Sequence, residues 1–245
     1  MIQRMVTGGV IAGFAVGVLA AILHFGFVQQ PLLAGEAYET GAMVHFADSG
    51  SDGQTAAGHG QGGDGHGDQP GAHGDDGEQG ALQRNGLTVL FTALIYVAYG
   101  LFLTAAYQVA EVLGKPVTAQ QGILWGLAGY AAFQLAPAMG LPPELPGTVA
   151  ADLQSRQVWW LGTALATAAG LAIMAYGRNL VSGAVGAVLL AAPHVIGAPQ
   201  PDNFWGVAPP ELGAEFASRT LGVGFVVWAA LGWLTARLWA ASAER

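Results

Sequence analysis

Apolar runs of about 20 residues, the length of helix needed to cross the hydrocarbon core of a bilayer, recur along most of this chain and are parted by short polar breaks. They fall at about Met5 to Val28, Leu87 to Ala110, Gln120 to Leu141, Val158 to Tyr176, Leu180 to Gly197 and Phe216 to Ala240. The pattern predicts an all-α, polytopic helical membrane protein of about six transmembrane helices. The fifth run is the shortest and is interrupted by Pro193, so five spans with one re-entrant segment stays open beside six. Composition agrees: 53% of the 245 residues are hydrophobic and 10% charged, against about a quarter charged in soluble domains. The lipid bilayer is thus the first partner, and a net charge of −8 speaks against nucleic acid. With no cysteine there is no thiolate site or thiol nucleophile. Histidine, carboxylate, methionine and backbone carbonyl remain as ligands, a set that favours borderline or hard cations.

The chain divides into a first transmembrane helix (1–28), an extracytoplasmic loop (29–86), a second transmembrane helix (87–115) and two helical hairpins (116–178 and 179–245). In the first run Gly9, Gly13 and Gly17 put three side-chain-free positions on one helix face, where another helix can approach closely. A signal peptide with small residues near Ala20 and Ala21 is the competing reading, but the run is longer than an ordinary signal core. Within the loop, residues 49–80 are almost wholly Gly, Asp, His, Gln, Ser and Ala, too polar to bury a core and expected to be disordered. Basic residues near span ends mark the cytoplasmic side. A cytoplasmic N-terminus places Arg4, Lys115, Arg178, Arg237 and Arg245 inside, against Arg84, Arg156 and Arg219 outside. It also leaves Glu111 and Glu244 as the inner carboxylates. Trp159, Trp160 and Trp239 sit at span ends, where interfacial belts place indoles; Trp228 and Trp233 read as packing.

The outer loops match each other. Ala136-Pro137-Ala138 leads to Pro142-Pro143-Glu144-Leu145 and Ser155-Arg156, and Ala192-Pro193-His194 leads to Pro209-Pro210-Glu211-Leu212 and Ser218-Arg219. Spans three and four therefore read as a parallel repeat of five and six, a construction common in transporters. Pro137 and Pro193 each free a carbonyl of the preceding turn, which either faces a cation or merely marks a helix end. Glu144 and Glu211 are read either as loop caps or as metal contacts.

His59, His66 and His73 recur at seven-residue spacing near Asp64, Asp68, Asp75 and Asp76. Imidazole and carboxylate together are ordinary first-row metal ligands, and in a flexible tract they suit capture and delivery; a solvated linker is the plainer alternative. His24 and His194 lie within spans, where an ionisable group is a functional hypothesis; an imidazole bonded to a helix carbonyl is the structural alternative. Glu36, Glu39 and His45 follow the first span and could receive an ion. The chain has no HExxH, GxSxG, Walker or dinucleotide motif, so it is not expected to be an enzyme. Any uphill transport would need a separate engine or an ion gradient.

Pro31-Leu32-Leu33 with Glu36 and Tyr38-Glu39, Leu141-Pro142-Pro143-Glu144-Leu145-Pro146-Gly147, Arg156-Gln157 with Trp159-Trp160, and Ala192-Pro193-His194 resemble the CbtA family of proposed cobalt transporter subunits. The resemblance implies cobalt uptake linked to cobalamin biosynthesis in a prokaryotic cell (inner) membrane. It also implies a small single-span partner, CbtB, with a histidine-rich end. That family is usually described with five predicted spans, against six here. The expectation is a subunit with no tightly bound cofactor and Co2+ or a similar divalent ion as cargo. His59, His66 and His73 would collect the ion, Glu36, Glu39 and His45 would receive it, and His24, His194 and freed carbonyls would line its path. The alternative is a metal-binding scaffold or sensor that does not transport.

Overall fold

The structure, a computed structural model, describes residues 2–44 and 75–242. Helix α1 (Ile2–Leu23) passes through a π-turn (His24–Val28) into α2 (Gln29–Glu39). Then follow α3 (Asp75–Val112), α4 (Gly122–Tyr130), a second π-turn (Ala131–Leu135), α5 (Ala136–Ala138), α6 (Leu153–Tyr176), α7 (Leu180–Ile196) and α8 (Pro210–Ala241). No strand occurs among the described residues. Among the described residues four stretches are long and apolar enough to cross a bilayer: Gln3–Glu39, Gly80–Val112, Leu153–Tyr176 and Pro210–Ala241. Leu180–Ile196 is shorter, as is the helical stretch 122–138.

Helices pack in three pairs, α1 on α3, α4 on α8 and α6 on α7, and every pair closes on glycine. Lipid is as apolar as leucine, so association inside a bilayer relies on close van der Waals contact, which small residues permit. A Cβ at Gly9 would lie 3.0 Å from the Gly100 carbonyl, and one at Gly17 would lie 2.5 Å from the Ala93 Cα. The seam expected from Gly9, Gly13 and Gly17 therefore exists, and its partner is α3. Gly122 and Gly126 meet Gly232 between α4 and α8, and Gly170 meets Gly186 between α6 and α7. Helix α8 also contacts α1, α2 and α3, and its Val227, Trp228, Leu231, Ala236 and Trp239 join Tyr107 and Tyr130 in the main core. Helix α7 packs on α6 alone among the helices.

Both chain ends meet at one end of the bundle. Arg4 of α1 donates to the Trp239 carbonyl (2.7 and 3.0 Å) and to Ser242 Oγ (2.8 Å), while Trp239 Nε1 donates to Glu111 Oε1 at 2.7 Å. An odd number of crossings would part the two ends across the membrane, so this contact fits an even number, and four stretches among the described residues are long and apolar enough to cross. The contact also corrects the expectation for Trp239. The indole is fully buried, with the Arg4 guanidinium 4.0 Å above its ring, because α1 and α3 cover the face that a lone helix end would present to lipid. Trp228 is buried as expected, whereas Trp233 is 42% exposed beneath Arg237.

The first helix outruns its apolar sequence, continuing past Val28 to Glu39. Pro31, inside it, has no amide to offer the Phe27 carbonyl one turn back, and the preceding π-turn loosens the ladder at that point. Arg219 of α8 supplies a donor instead, NH1 to Phe27 O at 3.1 Å. Helix α3 likewise opens at Asp75, well before its apolar run.

Candidate functional site

Away from the chain ends, three segments gather at the loop end of the bundle. Leu145 lies against Gly35 of α2, and Gly147, at φ 76°, lies beside Glu39 and Val207. A side chain at Gly147 would be strained by that backbone and would collide with Val207. Thr148 pairs antiparallel with Gly206, the Val149 amide donates to the Trp205 carbonyl at 2.9 Å, and Gln200 Nε2 donates to the Gly140 carbonyl at 3.3 Å. Val28, Leu145 and Phe216 form a small second core beneath these contacts.

Between α5, the following loop and α6 runs an open groove of about 510 Å³. Its floor and walls hold Phe133, Pro137, Pro142, Pro143 and Trp160, and its polar side chains are Gln134, Glu144, Arg156 and Gln157. Arg156 NH2 donates to Glu144 Oε2 at 2.9 Å, an ion pair less than a third exposed on either side. The LPPELPG and RQxWW segments, 12 residues apart at this contact, thus converge on one site. Asp152 fixes the start of α6. Its carboxylate accepts from the Ser155 amide (2.9 Å) and hydroxyl (3.0 Å), and these bonds hold it below the usual carboxylate range. The cap satisfies an amide that the first helical turn leaves without a partner.

Gln134 comes from the second π-turn, a distortion often found at functional sites. Its Nε2 donates to the Thr220 carbonyl at 3.2 Å, which leaves its oxygen free among the described residues. Sequence reasoning passed over Gln134, Arg156 and Gln157 as site residues. The signal was present for the last two, because RQxWW is one of the most specific segments of the chain.

Of the expected metal residues, His24, Glu36, Glu39 and His194 are among the described residues. Among the described residues no three His, Asp or Glu side chains form a group that could hold an ion. His24 is half-buried in the first π-turn, against Phe25. His194, also half-buried, sets its ring edge-on to Trp159, 6.1 Å between centroids. Neither imidazole hydrogen-bonds a helix carbonyl among the described residues. Glu36 and Glu39 are three residues apart on α2, hence on neighbouring positions of one face. His45, His59, His66 and His73 lie outside the described residues.

Local structure also differs between the matched loops. Pro142 to Leu145 lies in irregular chain eight residues before α6, whereas Pro210, Glu211 and Leu212 form the first turn of α8. Glu144 is an ion-pair partner, a role outside both expectations for it. Pro137 and Pro193 each lie in the last turn of a helix, and the Pro193 carbonyl is taken by Trp159 Nε1 and the Gly197 amide. Their position fits helix endings.

No curated protein and no solved structure is significantly similar to this chain. The sequence model of one family, described as the probable cobalt transporter subunit CbtA, matches residues 2–240. With that match over nearly the whole of an all-helical, multi-pass chain, the protein belongs to the CbtA family.

Proposed function

We propose that this chain is the membrane-embedded subunit through which a divalent cation, cobalt(II) foremost, enters a prokaryotic cell. Family membership is the observation that carries the reading. The loop end faces outward and the joined chain ends face the cytoplasm. His59, His66 and His73, with their neighbouring aspartates, concentrate the ion from dilute solution. The glycine-rich sequence around them makes binding weak and exchangeable, because ordering such a chain about the ion costs conformational entropy. His45, Glu36 and Glu39 receive it, and His24, about 18 Å deeper along the same helix at 1.5 Å per residue, offers the next nitrogen. His194 and the groove beside α6 belong to the same outer half. A small single-span subunit with a histidine-rich end is the proposed partner, and the chain's service is to cobalamin biosynthesis.

Nitrogen and oxygen sites hold nickel and copper more tightly than cobalt, so selection falls to metal supply or to the partner. The test is uptake of radiolabelled cobalt by proteoliposomes holding the chain, with and without that partner. Deleting residues 58–77 is expected to cut uptake several-fold at scarce cobalt and to leave it nearly intact at abundant cobalt. Unchanged uptake at both levels would remove the capture role. The other reading is a scaffold or sensor that binds the ion without translocating it. Binding with no flux in either preparation would establish it.

A further inference from the structure

The groove beside α6 is poorly suited to a bare divalent ion. First-row cations in a nitrogen and oxygen site take imidazoles and free carboxylates, and this groove offers no imidazole. Its one carboxylate, Glu144, is committed to Arg156. A guanidinium at the rim repels a dication directly. The volume also exceeds the need: six hydration waters at about 30 Å³ each leave most of about 510 Å³ unused. The remaining wall is carbon, from Phe133, Trp160 and the prolines, which offers nothing to a hydrated ion and good contact to an organic skeleton.

We propose that the groove takes the cation as a chelate, with part of its coordination sphere filled by a small carboxylate-bearing molecule such as a hydroxy-acid or an amino acid. The proposal rests on the uptake reading above and names the form in which the cargo arrives. Arg156 spends one N–H group on Glu144 and keeps the rest of a planar fork that matches a carboxylate in bidentate geometry. A ligand carboxylate there replaces or joins Glu144. The Gln157 amide bonds the second end, and Trp160 covers the carbon skeleton. Such a ligand screens the dication from the guanidinium.

The experiment uses the full-length chain in lipid nanodiscs and equilibrium dialysis of radiolabelled cobalt, at equal total metal, alone and with excess citrate or histidine. Saturable binding is expected to be tighter with one of the two chelators than without. Arg156→Gln should weaken that chelate-dependent binding at least tenfold. Glu144→Gln removes the same ion pair but frees the guanidinium, and is expected to strengthen chelate binding. It thereby separates recognition from any loss of local structure. Binding of the uncomplexed ion as tight as that of both chelates would overturn the proposal while leaving the uptake reading intact. Equal losses in Arg156→Gln and Glu144→Gln would also overturn it, since they would assign the ion pair a structural role. No saturable binding of cobalt in any form would overturn both.

Discussion

Gly126→Leu should prevent α4 from seating on α8, at a cost of at least about 3 kcal/mol, the upper end of the range for overpacking a well-filled site. The reason is what the new side chain meets. A Cβ at Gly126 collides with the Trp228 carbonyl and with the backbone of Gly232, and neither can swing aside as a flexible side chain would. The helices must part along the seam, and in lipid no hydrophobic gain offsets the lost contact. Gly162→Leu on α6 is the matched control, because nothing lies within 4 Å of a Cβ there. Thermal unfolding of purified protein in detergent is expected to show a drop of roughly 6 to 12 °C for Gly126→Leu, at about 2 to 4 °C per kcal/mol for a chain of this size. The control should stay within about 2 °C, in keeping with the small effects usual at open sites. Equal midpoints for the two variants would mean that the α4–α8 seam is not closed on glycine.

The seams show how far hydropathy and spacing reach. Gly9, Gly13 and Gly17 announced a close approach, and the approach is there, but nothing in their spacing named α3 as the partner. Gly122 and Gly126 are equally legible as small residues, and their partner, Gly232, lies more than a hundred positions away. Pairing is a property of how helices are arranged in the membrane, and each helix carries only its own half of the seam. Trp239 fails as a sequence reading for the same reason. Near a span end an indole suits the interface, and only the arrival of Arg4 and Glu111 from two other helices makes it core. Continuation of the first helix to Glu39 was hidden because hydropathy falls after Val28 and proline follows, whereas helical geometry needs neither lipid nor apolar residues once a long helix supplies the nucleus.

At the candidate site the motifs were better guides than the chemistry. Histidine and carboxylate counts pointed to His24, Glu36, Glu39 and His194, which form no group of three donors among the described residues. The LPPELPG and RQxWW segments stand out by specificity alone, and they meet at the Glu144–Arg156 pair. Gln134 carried no such signal. Its place depends on the π-turn, whose extra residue per turn shifts side chains off the positions that a regular helix would give. The matched Pro-Pro-Glu-Leu segments teach the converse. Pro142 to Leu145 form an irregular loop before α6, whereas Pro209 precedes α8 and Pro210 to Leu212 form its first turn, since proline is equally at home in a bend and at a helix start.

Trp239→Ala is expected to be the most damaging substitution at the joined chain ends, costing about 3 to 5 kcal/mol as for other buried tryptophans cut to alanine. Three separable effects meet in this side chain. The ring is fully buried, Arg4 stacks on it at 4.0 Å, and its Nε1 donates to Glu111 at 2.7 Å. Trp239→Phe keeps most of the packing and removes the hydrogen bond. Glu111 then retains only Arg4, at 3.4 and 3.5 Å, so a loss of about 1.5 to 3 kcal/mol is expected, the range for a bond to a charged group. Glu111→Gln preserves an acceptor for the indole and weakens only a partly exposed ion pair, worth at most about 1 kcal/mol. Thermal midpoints in detergent should therefore fall in the order Glu111→Gln, Trp239→Phe, Trp239→Ala, with the last lowest. A Glu111→Gln midpoint below that of Trp239→Phe would assign the clasp to charge rather than to the indole. In the expected order, packing and the indole hydrogen bond hold α1, α3 and α8 together at this end.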